Sequence, residues 1–159
     1  MKPLVYVETS VVSYLTARTS SNLVTAARQA WTSQWWEVAP QHWTIKVSEL
    51  VLDEASKGDA TAAKRRLDVI AGIEVLRVTK DAHELAQKII KLGALPSSEI
   101  EDALHIATAS LNEARYLLTW NFSHLAGPDA KLKLQDVLRK AKAHLTLLTT
   151  PEEMLESMK

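Results

Sequence analysis

The chain has 159 residues, of which 47% are hydrophobic and 24% are charged, a composition typical of one globular domain. Its 19 lysines and arginines balance 19 aspartates and glutamates, so a nucleic acid would have to bind a local basic patch. The absence of cysteine excludes disulfides, thiolate catalysis and cysteine-bound metal clusters. No apolar run has the length of a signal-peptide core or a membrane span, and a cytoplasmic location is the expectation.

Short β-prone runs alternate with helical segments in the first half of the chain. The predicted elements are a strand at 4–7, a helix at 9–15, a helix at 21–38, a strand at 42–47, a helix at 48–58 and a helix at 59–71. Thr9 or Ser10 is the predicted cap of the first helix, although Val11 and Val12 would equally suit a strand. Pro40 lies beyond the predicted end of the second helix.

The same alternation continues to the end of the chain. The predicted elements are a strand at 73–78, a helix at 81–92, a helix at 98–112, a strand at 116–119, a helix at 131–143, a strand at 145–148 and a helical turn at 151–153. Ser98 and Glu101 have the spacing of a capping box. Strands separated by helices predict an α/β sandwich with a mostly parallel sheet, whose ligands lie beyond the carboxyl ends of the strands.

Acidic residues are the best candidates for chemistry. The four glycines form neither a dinucleotide-binding nor a P-loop pattern, and no histidine pair has the spacing of a zinc protease. Glu8 follows the first strand, where a single acid most simply accepts hydrogen bonds from the next helix. Asp102 begins a helix that is apolar on two sides, so its charge needs a partner, and a divalent cation is the simplest partner for converging carboxylates.

Four segments together resemble a PIN domain of the VapC toxin type. They are Glu8-Thr9-Ser10 after the first strand, SELVLDE at 48–54, DALHIATA at 102–109 and YLLTWNF at 116–122. The resemblance covers nearly the whole chain, as one domain over 1–159. It implies a three-layer α/β sandwich with a five-stranded parallel sheet of order 3-2-1-4-5, flanked by helices.

The resemblance also implies a metal site and a reaction. Glu8, Glu54 and Asp102 would hold Mg²⁺ or Mn²⁺ for RNA cleavage, and Asn121 would occupy the fourth position. Thr9, Ser10, Thr119 and His124 are weaker candidates for positioning the substrate. The chain departs from the family twice, because Glu8 replaces the usual aspartate and Asn121 replaces a carboxylate.

Other polar and aromatic groups have simpler interpretations. Glu49, Glu99 and Glu101 are placed outside the ligand set, and His105 is expected to be a hydrogen-bonded structural residue. The tryptophans Trp31, Trp35, Trp36 and Trp43 would form core with one exposed ring, or a homodimer surface within 21–43. The basic cluster at 64–66 is most simply a solvated helix face, and it is also the one compact patch in the sequence able to contact RNA phosphates.

The resemblance favours a Mg²⁺- or Mn²⁺-dependent endoribonuclease, the toxin of a toxin–antitoxin pair, acting as a homodimer and silenced by an antitoxin protein. The main alternative is an inactive PIN-like module that binds RNA or a protein, because two acids of the family pattern are replaced. A phosphohydrolase with an aspartyl nucleophile is disfavoured, since the first strand ends without a D-x-D arrangement. Binding of a divalent cation distinguishes the enzyme from the binding module.

Overall fold

The computed structural model of the chain describes residues 1–121 and 128–159. The strands are β1 (Leu4–Val7), β2 (Thr44–Ser48), β3 (Glu74–Leu76), β4 (Tyr116–Leu118) and β5 (Leu147–Thr149). The helices are α1 (Thr9–Thr16), α2 (Leu23–His42), α3 (Glu49–Ala55), α4 (Ala60–Ile70), α5 (Lys80–Lys91), α6 (Ile100–Leu111), α7 (Pro128–Lys140) and α8 (Pro151–Glu156), with a 3₁₀ turn at Ser97–Glu99. None of the helices in these ranges is long and apolar enough to cross a membrane.

The five strands form one parallel sheet of order β3-β2-β1-β4-β5, which confirms the predicted fold class. Strand β1 lies at the centre and pairs with β2 on one side and β4 on the other. In the register of β1 and β4, Val7 lies opposite Leu118, and the Glu8 amide donates to the Leu118 carbonyl at 3.0 Å. The residues that follow these two strands therefore begin side by side at one edge of the sheet.

The helices pack in two groups. Helix α5 contacts α6 and α7, whereas α1 contacts α2, α3 and α4, and α2 contacts α8. Residues 5–7 of β1 and residues 103–110 of α6 are all buried. A central parallel strand is covered on both faces, which is why β1 is continuously apolar instead of alternating.

Three local predictions are wrong. Helix α1 is capped by Glu8, whose carboxylate accepts from the Ser10 amide, because the Thr9 and Ser10 hydroxyls donate to acids instead. Helix α2 continues through Pro40 to His42, since burial of the neighbouring aromatic rings outweighs one missing N–H donor. The predicted capping box at Ser98 is replaced by the 3₁₀ turn, and α6 begins without a side-chain cap.

The tryptophans of α2 pack mostly within the chain. Trp35 is fully buried and stacks on Trp43 with ring centroids 5.7 Å apart, and Trp31 stacks on Trp120 at 6.3 Å. At the start of the helix, Leu23 is 87% exposed. A single chain does not test the homodimer through 21–43, which stays a prediction.

Candidate active site

Glu8 lies at the carboxyl end of β1 and is held by the ends of two neighbouring elements. Its Oε1 accepts hydrogen bonds from the Ser10 amide at 3.1 Å, from the Ser10 hydroxyl, and from the Thr119 hydroxyl at 2.6 Å. Ser10 Oγ in turn accepts from the Trp120 amide at 2.9 Å, which ties the end of β4 to the start of α1. Among the described residues, no hydrogen bond reaches Oε2 of Glu8, so this oxygen is available to a ligand.

Glu54 approaches the site from helix α3. Its Oε1 accepts from the Thr9 hydroxyl at 2.6 Å and from His105 Nε2 at 2.7 Å. Burial raises the pKa of the Glu54 carboxyl, but its hydrogen bonds and the charge of His105 outweigh burial, so the pKa is lowered overall. Glu54 is therefore ionised at neutral pH and acts only as an acceptor.

His105 Nδ1 lies 2.6 Å from the hydroxyl of Tyr6, which is also 2.7 Å from Ser48 Oγ. Tyr6 is fully buried in the central strand, and burial raises the pKa of its hydroxyl, so the hydroxyl keeps its proton. The four side chains Ser48, Tyr6, His105 and Glu54 thus form one hydrogen-bonded chain from β2 through β1 and α6 to α3.

Asp102 occupies the first turn of α6, one helical turn before His105. Burial raises the pKa of its carboxyl to about 6, and the hydrogen bond to Glu99 and the negative charge of Glu8 act in the same direction. The Asn121 amide donates to the two Asp102 oxygens at 3.2 and 3.3 Å. The charge of His105 lowers the pKa of Asp102 and offsets these effects only in part.

The structure brings most of the predicted site residues together. One ligand atom each from Glu8, Glu54 and His105 lies within 4.8 Å of the others, whereas Asp102 is not part of this group in the described chain. Asp102 instead lines a cavity that it shares with Glu8, His105, Thr119 and Asn121. Glu8 is therefore common to both arrangements, because it lies beside Glu54 and faces the same cavity as Asp102.

The donor set fits a divalent cation. Carboxylate oxygens, with an imidazole nearby, are ligands for Mg²⁺, Mn²⁺ and related ions. Within residues 1–121 and 128–159, no lysine or arginine forms a salt bridge with Glu8, Glu54 or Asp102. Converging carboxylates that no lysine or arginine neutralises repel one another, and a bound cation would relieve that repulsion.

The role of the weaker candidates in positioning the substrate stays a prediction. Thr9, Ser10 and Thr119 donate to the acids, so they orient carboxylates directly. His124 lies outside the described residues. Glu49 is exposed and accepts from the Val78 amide at 2.9 Å, away from the acids.

The sequence analysis left out of the site three side chains that the structure places beside the acids. His105 is 2% exposed and bonds Glu54, and its position one helical turn after Asp102 was the available signal. Glu99 lies beside Asp102, and Glu101 beside Glu54, so both reach the acids although neither was placed in the ligand set.

The basic cluster at 64–66 is largely engaged within the chain. Arg66 donates to the Ala55 carbonyl at 3.0 Å and to the Lys57 carbonyl, and Lys64 pairs with Asp68 at 2.8 Å. Arg66 therefore supports the end of α3, the helix that carries Glu54. Contact of this cluster with RNA stays a prediction.

Comparison with known proteins identifies the fold. No family model and no curated protein sequence matches the chain. Among solved structures, the chain is similar to VapBC2 from Rickettsia felis bound to a promoter DNA fragment, with a TM-score of 0.59 and 13% identity over 92% of this chain and 98% of that chain. It is also similar to Mycobacterium tuberculosis VapC20, a toxin that cleaves the sarcin–ricin loop, with a TM-score of 0.56 and 18% identity over 76% of this chain and 92% of that chain. A third similar structure is a toxin–antitoxin complex from Klebsiella pneumoniae, with a TM-score of 0.56 and 16% identity over 92% of this chain and 97% of that chain.

The chain has the fold of the VapC toxins. This likeness confirms the predicted resemblance at the level of the fold, since all three identities lie below 20%. In this fold Glu8 lies beside Glu54 and lines a cavity with Asp102, and the assignment of the three acids as metal ligands stays a prediction.

Proposed function

We propose that this protein is a metal-dependent endoribonuclease that uses Mg²⁺ or Mn²⁺. The observation that carries the proposal is the convergence of Glu8 and Glu54, far apart in sequence, within 4.8 Å at the carboxyl edge of the sheet. The nearby Asp102, whose pKa is raised to about 6, supports it, because such a group gains most from a cation.

Each residue has a distinct role in the proposed site. Glu8, Glu54 and Asp102 would hold the ion, which would supply a polarised water and offset charge on the phosphate. Thr119 holds Glu8 in place, and Asn121 holds Asp102 through its amide. Asn121 supplies no charge, so the site has three carboxylates of the proposed set and not four.

We further propose that the protein is the toxin of a toxin–antitoxin pair, with cytoplasmic RNA as its substrate and an antitoxin protein as its inhibitor. The support is the shared fold with VapC20 and with the toxin–antitoxin structures. Expression of the chain alone should arrest growth of the host, and expression of Glu54→Gln should not. Arrest by both proteins would exclude nuclease activity as the cause.

The enzyme is tested with two matched variants of helix α3. Glu54→Gln removes a carboxylate at the site, and Glu49→Gln removes an exposed carboxylate from the first turn of the same helix. We expect the wild type and Glu49→Gln to bind Mn²⁺ and cleave RNA only when a divalent cation is present, and Glu54→Gln to lose both properties. A wild-type protein that binds RNA but neither Mn²⁺ nor Mg²⁺ would instead be a binding module.

A further inference from the structure

His105 is buried in the middle of α6, and both of its ring nitrogens are engaged. Nδ1 lies 2.6 Å from the Tyr6 hydroxyl, and Nε2 lies 2.7 Å from Glu54 Oε1. The Tyr6 ring also packs against the imidazole in an edge-on contact, with centroids 5.8 Å apart and planes at 63°. The imidazole is thus fixed by a hydrogen bond at each end and by a ring contact.

The direction of the hydrogen bond between His105 and Glu54 follows from the chemistry of the two groups. A carboxylate can only accept, so Nε2 carries the proton that points at Glu54. The Tyr6 hydroxyl can both donate and accept, so it bridges Nδ1 of His105 and Ser48 Oγ whichever way its proton points. Ser48 Oγ also accepts from the Val51 amide at 3.4 Å in the first turn of α3. The chain of bonds therefore starts and ends on the helix that carries Glu54.

We propose that Tyr6 and His105 are positioning residues that fix the Glu54 carboxylate for the cation. This inference rests on the proposed function, because it assigns the pair a role only in a site that binds metal. His105 and Thr9 both occupy Oε1, so the carboxylate is held in one rotamer and Oε2 keeps one direction. In many metal sites a hydrogen-bonding partner of a ligand orients it, and loss of that partner lowers affinity about 10- to 100-fold.

A purely structural role for His105 would have a different signature. Removal of one partner from a buried hydrogen-bonded pair costs stability whether or not the pair serves a metal site. Stability alone therefore does not distinguish the two roles, whereas Mn²⁺ affinity does. A structural role predicts a less stable protein with unchanged affinity for Mn²⁺, and a positioning role predicts weaker binding of Mn²⁺ by protein that is still folded.

Three variants distinguish the contributions of the pair. His105→Leu removes both hydrogen bonds, whereas His105→Gln offers an amide N–H close to the place of Nε2 and tests rescue. Tyr6→Phe removes only the hydroxyl that sets the direction of the imidazole. Thr108→Val is the control, because Thr108 is buried one turn along the same helix and its hydroxyl has no partner among the described residues.

The measurement is the affinity for Mn²⁺ alone, from the electron paramagnetic resonance signal of the free ion, with thermal unfolding of the metal-free proteins beside it. We expect a loss of about tenfold or more in His105→Leu, a smaller loss in Tyr6→Phe, partial rescue in His105→Gln and no change in Thr108→Val. Metal-free His105→Leu should unfold below the wild-type temperature, because Tyr6 and Glu54 each lose a partner, and Mn²⁺ affinity is therefore compared at a temperature where every variant is folded.

Two results would overturn the proposal. Wild-type Mn²⁺ affinity in His105→Leu would show that the imidazole does not position Glu54. A directly coordinated nitrogen in the electron spin echo spectrum of the Mn²⁺-bound wild type would make His105 a ligand instead. Both results leave the proposed function standing, whereas a wild type that binds no divalent cation removes the proposed function itself.

Discussion

The end of β1 and the start of α6 both bring a carboxylate to the same cavity, but they hold it in opposite ways. Glu8 is 7% exposed, and its Oε1 accepts three hydrogen bonds from Ser10 and Thr119. Asp102 receives two longer contacts from one amide, that of Asn121, and lies next to Glu99.

The two carboxylates differ in how far the metal-free protein stabilises their negative charge. At the strand end, donors stabilise the negative charge of Glu8 before any ligand binds. At the helix start, burial and neighbouring acids keep the pKa of Asp102 near 6, so its charge is stabilised least in the metal-free protein. One acid sets the geometry of the site, and the other gains most from a cation.

The strongest test of this comparison removes one charge at each place. We expect Glu8→Gln and Asp102→Asn each to lower RNA cleavage on the order of 100-fold or more, since each loses a proposed ligand. Their metal-free stabilities should move in opposite directions. Asp102→Asn should gain on the order of 1 kcal/mol by loss of repulsion, and Glu8→Gln should lose a similar amount as its hydrogen bonds weaken. Urea unfolding with a chelator measures both, and equal shifts of one sign would contradict the comparison.

A second test loosens the strand end without changing charge. Thr119→Val removes the hydroxyl that donates to Glu8 and accepts from the Asn121 amide. We expect about tenfold weaker Mn²⁺ binding and a stability loss of about 1–3 kcal/mol. The matched control is Thr146→Val, which removes another buried hydroxyl, one that donates to the Ala114 carbonyl at 2.7 Å. The control should lose stability and keep its affinity for Mn²⁺.

The raised pKa of Asp102, at the start of α6, predicts that the stability of the metal-free protein depends on pH. The pKa of Asp102 is about 6 in the folded chain against 3.8 for the free side chain, so the fold favours the protonated form. The resulting stabilisation is present below about pH 4 and is lost as the pH rises through 6. The stability gain of Asp102→Asn over the wild type should therefore be larger at pH 7 than at pH 4.5, by on the order of 1 kcal/mol after screening by solvent. Urea unfolding at the two pH values measures this change, and an equal gain at both would show that Asp102 does not titrate in this range.

The smallest effect is expected from restoring a fourth acid. Asn121→Asp replaces an amide donor beside Asp102 with a carboxylate, so metal-free stability should fall by up to about 1 kcal/mol from repulsion. Mn²⁺ affinity should rise a few-fold, because an added carboxylate strengthens an oxygen-ligand site. Isothermal titration with Mn²⁺ measures the affinity. An unchanged affinity would place residue 121 outside the ligand set.

Much of the fold followed from local patterns in the sequence. The run Leu4–Val7 is continuously apolar, as a central parallel strand requires, and Ser48 and Asp59, residue types that favour helix starts, cap α3 and α4 through their side chains. These features depend on neighbours in sequence. The strand order came from the family resemblance, since periodicity alone leaves the order of parallel strands open.

The site was only partly predictable because its contacts cross long sequence separations. The bond from His105 to Tyr6 spans 99 residues, and the bond from Thr119 to Glu8 spans 111. A histidine in an apolar helix gives no local sign that both nitrogens will meet polar partners. For the same reason, Thr9 and Ser10 looked like helix caps, whereas their hydroxyls reach Glu54 and Glu8.

The strand order has a consequence for when the acids are held in place during synthesis. Strand β4 pairs directly with β1, although more than a hundred residues separate them in sequence. Thr119 and Asn121 follow β4, so the hydrogen bonds that hold Glu8 and Asp102 require this late strand to be in place. A ribosome-bound chain that ends before residue 116 has Glu8, Glu54 and Asp102 but lacks the strand that orients two of them. The nascent protein therefore stays without an assembled site until most of it has been made.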